Sequence, residues 1–341
     1  MSQNEILLLK GDEIFNLFQG REKEVMEAVK DAYVIHRKGD SCLPHSSFVR
    51  FPNKEKERII ALPAYLGGRF DIAGMKWIAS FPGNLEKGLE RASAQLTLNS
   101  TETGFPMAFM ESSIISAKRT AASAALAGDY LRADLPVKTV GLVGCGLINY
   151  ETVRFLLAAR PEIETVRVFD LSRERGDQFI SKCHELSSDI QYEFVGSLGE
   201  ILGQSDVVAL ATTAVKPYIS DLSACDPATV ILHTSLRDFT ANVILEADNL
   251  VDDVDHVMRA ATSVHLAEQE VGHRDFIRCE IADVFTSDQA PRPDDSKIRI
   301  FTPFGLGVLD LALAKMIYEL ASEQGKGTAM DSFMPAPWFA R

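Results

Sequence analysis

The chain has 341 residues, of which 46% are hydrophobic and 24% charged, as in a globular protein long enough for two domains. Its formal net charge of −13 disfavours nucleic acid or an anionic membrane as a partner, because both need a basic surface. The five cysteines are scattered without a C-x-x-C pair, so we expect neither a disulfide framework nor a metal site. No apolar run approaches the roughly 20 residues that span a bilayer, and the polar stretch Met1–Glu5 lacks signal-peptide features; we therefore expect a cytoplasmic protein.

Residues 1–115 predict a mostly β unit with two helices. Asp12 is a plausible N-cap for a helix through Phe18, and residues 22–37 carry the apolar stripe of an amphipathic helix. Glycine-rich and proline-containing turns separate the runs of β pattern that follow. Strands are expected at residues 46–51, 58–66, 72–81, 94–98 and 106–111. An alanine-rich helix over residues 116–131 then leads into the second domain.

From Val137 the pattern alternates between strand and helix, which predicts an α/β domain with a parallel sheet and helices on both faces. Strands are expected at residues 139–143, 166–169, 192–195, 207–211, 230–234, 249–252 and 298–301. A long apolar helix over residues 306–323 follows, and we expect it to pack back on the N-terminal domain. We therefore predict an α/β domain over residues 121–305, inserted in a β-rich α+β domain formed by residues 1–120 and 306–341.

The stretch Val137–Asn149 is the strongest local signal, because an apolar strand runs into Gly144-Cys145-Gly146 and a helical segment follows. Gly144 permits a tight turn, and Gly146 lets the backbone approach a pyrophosphate at the helix N-terminus. Asp170 ends the next β run and is placed to accept hydrogen bonds from a ribose. Asn149 replaces the third glycine of the usual fingerprint, so an ordinary strand–helix turn remains the alternative.

Three cations stand out in the β-rich domain: Lys76 between apolar neighbours, Arg119 near the domain junction, and Arg50 at the end of a β run. A cation among apolar neighbours is costly unless it is paired. Together they predict a clamp for substrate carboxylates, in which arginine offers a bidentate fork. The alternative is that each points to solvent or pairs with a local acid.

In the second domain, Thr212-Thr213 and Thr234-Ser235 follow buried strands, at the carboxyl ends where open α/β sheets bind ligands. Asp238 is the strongest candidate for a carboxylate that moves a proton beside a nicotinamide. The alternative is that Asp238 caps the following helix. Other titratable residues are interpreted as exposed: Asp252, Asp253, Asp255, His256, His265 and His273.

Motifs across nearly the whole chain resemble the ornithine cyclodeaminase/μ-crystallin family. They are Gly74-Met-Lys76-Trp, Ser116-Ala-Lys-Arg119-Thr-Ala-Ala, Gly144-Cys-Gly146, Val168-Phe-Asp170 and Thr302-Pro-Phe-Gly305-Leu-Gly. Three further segments look like its branch of N-(2-amino-2-carboxyethyl)-L-glutamate dehydrogenases, which supply 2,3-diaminopropionate for siderophores and peptide antibiotics. These segments are Glu90-Arg-Ala-Ser93-Ala94, residues 304–311 and Phe333-Met-Pro-Ala-Pro-Trp338.

The resemblance implies a Rossmann domain inserted in a substrate domain, a cleft between them, and a homodimer formed through the β-rich domain. By position, Arg50, Lys76 and Arg119 match the family's carboxylate-binding and polarising residues, and Asp238 matches its acid/base aspartate. The remaining implied substrate contacts are Ser93 and Gly305. The implied cofactor contacts are Gly144, Gly146, Leu147, Ile148, Asp170, Arg119, Thr120, Thr212, Thr213, Thr234, Ser235 and Phe304.

The implied cofactor is NAD, because Asp170 would repel a 2′-phosphate, although Arg173 nearby leaves NADP open. The implied reaction is oxidative cleavage of N-(2-amino-2-carboxyethyl)-L-glutamate to 2,3-diaminopropionate and 2-oxoglutarate. Ser93 stands where cyclodeaminases carry threonine, which argues against ornithine as the substrate. The alternatives are an ornithine or lysine cyclodeaminase, a ketimine reductase, and a cofactor-loaded binding protein without turnover.

Overall fold

The structure is a computed structural model that describes residues 5–287, 290–336 and 338–340. The polar stretch before Glu5, Gln289, and Pro337 of the C-terminal motif lie outside the described residues. The chain forms two units, one of Met1–Arg119 with Leu306–Arg341 and the other of Thr120–Gly305.

Strands and helices are numbered here in chain order. The strands are β1 (Ile6–Leu9), β2 (Ser41–Cys42), β3 (Ser47–Phe51), β4 (Lys54–Leu66), β5 (Ile72–Ser80), β6 (Ala92–Ser100), β7 (Pro106–Glu111), β8 (Thr139–Val143), β9 (Thr165–Phe169), β10 (Gln191–Phe194), β11 (Val207–Leu210), β12 (Val230–His233), β13 (Asp248–Val251), β14 (Ile277–Glu280), β15 (Arg299–Thr302) and β16 (Thr328–Met330). The helices are α1 (Gly11–Leu17), α2 (Glu22–Arg37), α3 (Ser113–Leu131), α4 (Leu147–Ala159), α5 (Arg173–Cys183), α6 (Leu198–Gly203), α7 (Ala241–Glu246), α8 (Val254–Val257), α9 (Ser263–Val271), α10 (Ile281–Thr286) and α11 (Gly307–Glu323). Single 3₁₀ turns cover Pro82–Lys87 and Trp338–Ala340.

The first unit is built on a mixed sheet with the order β16-β1-β7-β6-β5-β4-β2, and β3 pairs with β4. Side chains alternate between two faces of this sheet, because the period of a strand is two residues. On the face that carries Lys76, Leu96 and Ala64, the residues are buried, and α11 and α2 pack there. The other face carries exposed apolar side chains such as Met75 and Phe109. The long helix α11 thus packs on the N-terminal part of the chain, as expected.

The second unit is a parallel sheet with the order β10-β9-β8-β11-β12-β15-β13-β14. Its central strands β8, β11 and β12 are almost fully buried, as strands covered by helices on both faces must be. The strand order reverses between β8 and β11, and such a switch point opens a crevice at the carboxyl ends of the two strands. The predicted α/β fold is confirmed.

Two local expectations are corrected by the backbone. Lys10, and not Asp12, is the N-cap residue of α1, and Asp12 lies in the first turn, where its charge favours the positive end of the helix dipole. The edge strands β14 and β16 were not predicted, because each has only three or four residues and little alternation in its burial.

Candidate functional site

A buried ion-pair cluster lies in the first unit. The Nζ atom of Lys76 is 2.6 Å from Oδ2 of Asp310 and 3.1 Å from the hydroxyl oxygen of Ser116. The Nε atom of Arg119 is 3.3 Å from the other oxygen, Oδ1, of the same carboxylate. Lys76 is 1% exposed and Asp310 is fully buried. Two cations against one carboxylate leave this cluster with a net positive charge, which suits a carboxylate ligand.

The local sequence explains how helix α11 comes close enough to supply Asp310. A Cβ atom on Gly74 of β5 would lie 2.3 Å from the carbonyl oxygen of Thr97 and 2.9 Å from Leu311 of α11. A Cβ atom on Gly307 would lie 3.3 Å from the carbonyl oxygen of Leu62. The absence of side chains at these two glycines therefore allows the start of α11 to lie against the sheet beside Lys76.

Burial dominates the electrostatics of Lys76. It lowers the pKa of the Lys76 ammonium to about 8, an effect that the carboxylate of Asp310 opposes and the charge of Arg119 reinforces. With this pKa, Lys76 is mostly a protonated cation at neutral pH, and it loses its proton in mildly alkaline solution.

The structure does not bring all the predicted substrate residues together. Arg50 is exposed on β3, with its guanidinium carbon 5.5 Å from the centre of the Phe48 ring. Arg50 pairs in register with Arg58 of β4, on the same sheet face as Lys76. Ser93 pairs with Ala79, so its side chain lies on the opposite face from Lys76. The register therefore does not support a substrate site that contains both Ser93 and Lys76.

The glycine turn lies at the carboxyl end of β8, the central strand of the second unit. Gly144 has a φ of 94°, and a Cβ atom there would lie 2.6 Å from the carbonyl oxygen of Ala211. Gly146 is the N-cap residue of α4 and has no side-chain cap; a Cβ atom there would meet nothing within 4 Å. Leu147 and Ile148 lie in the first turn of α4, whose N–H groups have no partner within the helix and are suited to an anion.

Asn149 strengthens this turn, although its position is that of the missing glycine. Its side chain is fully buried, and Nδ2 donates hydrogen bonds to the carbonyl oxygens of Val143 and Gly144 at 3.0 and 2.7 Å. These hydrogen bonds fix the backbone of the turn, and a glycine at this position has no side chain that could make them.

Asp170 follows β9 and accepts hydrogen bonds from the backbone N–H groups of Cys145 and Ser172, both at 2.9 Å. These bonds fix the carboxylate beside the glycine turn, where the ribose of a dinucleotide would lie. Arg173, which left NADP open, pairs with Asp177 at 2.9 Å and stacks on the ring of Phe194. Its guanidinium is thus already engaged.

A second buried carboxylate, Asp238, lies beyond the carboxyl ends of β11 and β12. Its Oδ1 accepts a hydrogen bond from the hydroxyl of Thr212, and its Oδ2 accepts one from the hydroxyl of Ser235, both at 2.5 Å. The Nε2 atom of His233 lies 3.1 Å from Oδ2. Helix α7 begins only at Ala241 with Thr240 as its N-cap, so Asp238 is not a helix cap.

The environment of Asp238 keeps it ionised. Burial alone raises the pKa of this carboxyl, but the hydrogen bond and charge of His233, together with the bonds from Ser235 and Thr212, hold the pKa below its usual value. Burial and the charge of Asp238 in turn raise the pKa of Tyr218. Between Ser235 and Asp238, Leu236 has a φ of 73°, a strained conformation typical of functional sites.

The remaining predicted cofactor residues have varied positions. Thr213 is exposed after β11, the hydroxyl of Thr234 donates to the carbonyl oxygen of Leu210 at 2.7 Å, and Thr120 lies partly buried on α3. The N–H groups of Phe304 and Gly305 donate to the two carboxylate oxygens of Asp252 at 2.8 and 2.7 Å. Gly305 therefore cannot offer its N–H group to a substrate while this carboxylate accepts it.

Four residues of these clusters were not identified from the sequence. Asp310 was part of a recognised motif but was given no role, and His233 was read only as strand. Asp252 and His256 were expected on the surface, yet they are 2% and 8% exposed. Burial raises the pKa of Asp252 to about 6, while the N–H groups of Phe304 and Gly305 oppose that rise. An acidic run at a strand end gives no signal of which carboxylate turns inward.

Within the described part of the chain, no group of three or more histidine, cysteine, aspartate or glutamate residues is arranged to hold a metal ion. In the same residues, no helix combines the length and the apolar composition needed to cross a membrane.

A parallel sheet with this strand order, a glycine turn at its central strand and an acid at the end of the next strand define a dinucleotide-binding protein of the Rossmann class. The chain belongs to the ornithine cyclodeaminase/mu-crystallin family, whose family model matches residues 17–325. The family resemblance of the motifs is thus confirmed.

Individual relatives cover the chain from end to end. The N-((2S)-2-amino-2-carboxyethyl)-L-glutamate dehydrogenase of Staphylococcus aureus is 29% identical over 335 residues, which cover 96% of this chain and 99% of that protein. The Thermococcus litoralis Δ1-pyrroline-2-carboxylate reductase, solved with NADH and L-proline, has a TM-score of 0.87 at 26% identity and covers 95% of this chain and 99% of its own. An archaeal alanine dehydrogenase dimer with bound NAD has a TM-score of 0.84 at 27% identity, covering 96% and 99%.

Proposed function

We propose that this chain is an NAD-dependent dehydrogenase that cleaves N-(2-amino-2-carboxyethyl)-L-glutamate to 2,3-diaminopropionate and 2-oxoglutarate. The chain is an NAD-dependent oxidoreductase of amino-acid substrates, and its relatives include a reductase solved with NADH and a dehydrogenase solved with NAD. The observation that carries the finer proposal is the end-to-end similarity to the S. aureus dehydrogenase of that substrate. The 2,3-diaminopropionate would serve siderophore or peptide-antibiotic synthesis.

The residues of the second unit fit NAD. The uncapped start of α4 can hold a pyrophosphate, and the carboxylate of Asp170 can accept hydrogen bonds from both ribose hydroxyls. When bound, NAD supplies the acceptor for a hydride from the substrate α-carbon. The same carboxylate would repel a 2′-phosphate, which supports NAD over NADP.

In the first unit, Lys76 and Arg119 are proposed to bind the α-carboxylate of the glutamate moiety. Both cations are held by one carboxylate, that of Asp310, so their positions are fixed before the substrate arrives. A clamp with fixed geometry orients the α-carbon without a further loss of side-chain entropy. Arg50, on the same face of the sheet, is proposed to contribute to binding of the substrate carboxylates.

Asp238 is proposed as the acid/base residue. The secondary amine must be neutral before its neighbouring carbon can lose a hydride. The lowered pKa of Asp238 keeps this carboxylate ionised at neutral pH, which is the form that can receive the amine proton. Loss of the hydride from the neutral amine would leave a protonated imine, and Asp238 would release its first proton to solvent. Asp238 would then take a proton from the water that adds to the imine carbon, return it to the nitrogen, and take the hydroxyl proton as the carbon–nitrogen bond breaks. Cleavage of the carbon–nitrogen bond releases 2-oxoglutarate, which carries the oxygen of water, and 2,3-diaminopropionate.

The direct test is to incubate the protein with NAD and the glutamate–diaminopropionate conjugate, beside a sample with ornithine. We expect NADH absorbance to rise with the conjugate, and mass spectrometry to identify 2-oxoglutarate and 2,3-diaminopropionate. Ammonia and proline from ornithine without accumulation of NADH would instead identify a cyclodeaminase.

A second candidate is a reductase of cyclic imino acids, favoured by the TM-score of 0.87 to the T. litoralis reductase. This activity would use the same carboxylate clamp and transfer the hydride in the opposite direction. Consumption of NADH with Δ1-pyrroline-2-carboxylate, faster than NADH formation with the conjugate, would establish it.

We also propose a cytoplasmic homodimer. The open face of the first sheet carries Met75 and Phe109, exposed by 37% and 40%, in register on either side of Thr97. Apolar side chains in such a row favour association, and the archaeal alanine dehydrogenase is a dimer. Light scattering should give twice the chain mass, and Phe109→Asp should shift it toward the monomer.

All five cysteines are free thiols, which supports a reducing compartment such as the cytoplasm.

A further inference from the structure

Arg91, in the first unit, has no acidic partner among the residues that the structure describes. It lies just before β6 and is partly buried, and its Nη1 donates a hydrogen bond to the hydroxyl of Ser80 at 3.0 Å. Among the described residues, no carboxylate oxygen lies within 4.0 Å of its guanidinium. Burial lowers the pKa of Arg91. A partly buried guanidinium that donates only to a neutral hydroxyl retains donors and charge for a ligand.

The register places this guanidinium among other cations. Ser80, which is 7% exposed, pairs with Arg58 of β4, and Arg58 pairs with Arg50 of β3. The three side chains therefore lie in one row across the sheet, on the face that carries Lys76. Adjacent strands are about 4.8 Å apart, so the Cα atoms of Arg50 and Ser80 are separated by about 10 Å.

This row and the ion-pair cluster lie on the same face of the sheet and are separated along β5. Ser80 and Lys76 are four residues apart on β5, which corresponds to about 13 Å between their Cα atoms. The side chains of Lys76 and Arg91 are both long enough to shorten the gap between their charges. A monocarboxylate held at Lys76 would leave Arg91 without a partner, whereas a substrate with a second carboxylate could engage both.

We propose that Arg91, fixed by Ser80, forms a second anion subsite that binds a carboxylate other than the one on the reacting α-carbon. This inference rests on the proposed function, whose substrate has three carboxylates, and it assigns Arg91 to substrate specificity. The subsite selects substrates and products with two or more carboxylates over amino acids with one.

The test compares 2-oxoglutarate with 2-oxopentanoate, which has the same chain but a methyl group in place of the terminal carboxylate. Calorimetry in the presence of NADH gives both affinities without any need for turnover. We expect wild-type protein to prefer 2-oxoglutarate, and Arg91→Ala to weaken its binding by about 10- to 100-fold, the value of a lost charge-assisted contact. Binding of 2-oxopentanoate should not change. Lys87→Ala, which removes an exposed cation four residues away, is the matched control.

The second arm measures KM and kcat for the full conjugate. If Arg91→Ala raises the KM for the conjugate but leaves 2-oxoglutarate binding unchanged, the subsite binds the carboxylate of the diaminopropionate moiety. Equal losses for 2-oxoglutarate and 2-oxopentanoate would reveal a structural role and overturn the proposal, as would unchanged values for all three ligands. Arg91→Lys, which keeps the charge but loses the planar fork, should recover part of the selectivity. Failure of the proposed function would appear separately, as a lack of turnover of the conjugate by wild-type protein.

Discussion

Asp310 and Asp238 are both fully buried carboxylates, yet their charges are compensated in different ways. Two cations, Lys76 and Arg119, share the oxygens of Asp310. Asp238 instead accepts hydrogen bonds from two hydroxyl groups and lies beside one histidine. The first arrangement leaves a net positive charge, whereas the second leaves a carboxylate whose negative charge is retained.

This difference suits the two carboxylates to different roles, one in ordering cations and the other in proton transfer. A carboxylate that is shared by two cations is a poor base, because protonation would remove the attraction that holds both cations. A carboxylate held by hydroxyl groups can accept a proton while those groups rotate to donate elsewhere. Asp310 therefore orders the cations that would bind a substrate carboxylate, and Asp238 is the group suited to proton transfer. The three experiments that follow test this division.

The largest effect is expected from Asp238→Asn. The amide cannot accept the proton, so we expect kcat to fall by about 10²- to 10⁴-fold, the usual contribution of a general base. The affinity for NADH, measured by fluorescence titration, should stay within about twofold because the glycine turn is untouched. Asp221→Asn, at an exposed aspartate of the same unit, is the control. Near-normal turnover in Asp238→Asn would remove Asp238 from the mechanism.

The corresponding change on the other side is Asp310→Asn. Lys76 and Arg119 would then be two buried cations without a counter-ion, and breaking such a pair costs about 3–5 kcal/mol of folding free energy. Urea unfolding should show this loss together with weak binding of 2-oxoglutarate. Glu319→Gln removes the ion pair of the exposed Glu319 with the partly buried Lys315 on the same helix, and it should cost less than about 1 kcal/mol. A stable Asp310→Asn protein with normal binding would contradict the ordering role.

The pH dependence of ligand binding tests Lys76, one of the two cations that Asp310 orders. The pKa of Lys76 is lowered to about 8, so its ammonium form is present below that pH and is lost above it. Binding of 2-oxoglutarate, whose charge is constant from about pH 6 to about pH 10, should weaken above pH 8 by up to about tenfold per pH unit. Lys76→Arg should abolish this dependence, since arginine stays charged. A flat profile in the wild-type protein would show that the ammonium group is not required.

Much of this architecture can be predicted from the sequence, because the relevant signals are local. Alternating strand and helix patterns predicted all the central strands of the second unit. Gly144 and Gly146 identified the turn together with the apolar strand before them and the acid-ended strand after them. The apolar run over residues 306–323 predicted both the helix α11 and its packing on the N-terminal part of the chain. In each case, the period of hydrophobic residues or a glycine requirement is written in consecutive residues.

The partners of the candidate site residues are a different matter, since they depend on contacts between distant segments. Asp310 meets Lys76 across 234 positions of sequence, and only the three-dimensional packing permitted by Gly74 and Gly307 brings them together. Ser93 was assigned to the substrate site from its position in a motif, whereas the register of β5 and β6 turns it to the other face. A one-residue difference in register decides the face, and no local pattern fixes it.

Asp252 offers the smallest and most specific test. It was read as part of an exposed acidic turn, but its two oxygens accept the N–H groups of Phe304 and Gly305. Asp252→Asn keeps one acceptor oxygen and leaves one N–H group unsatisfied, which costs about 1–3 kcal/mol when buried. If Phe304 contacts the cofactor, as the sequence predicts, the Kd for NAD should rise several-fold. Asp253→Asn, which changes the neighbouring charge at the cap of α8, is the matched control.

The same contact predicts a pH effect in the wild-type protein. The pKa of Asp252 is raised to about 6, so the carboxyl is protonated below that pH and then lacks one acceptor for the two N–H groups. The Kd for NAD at about pH 5 should therefore approach the value of Asp252→Asn, and the two proteins should differ most at about pH 8. Calorimetric titrations at the two pH values decide the question. Equal affinities of wild type and variant at pH 8 would mean that Asp252 holds the Phe304–Gly305 turn without influence on the cofactor.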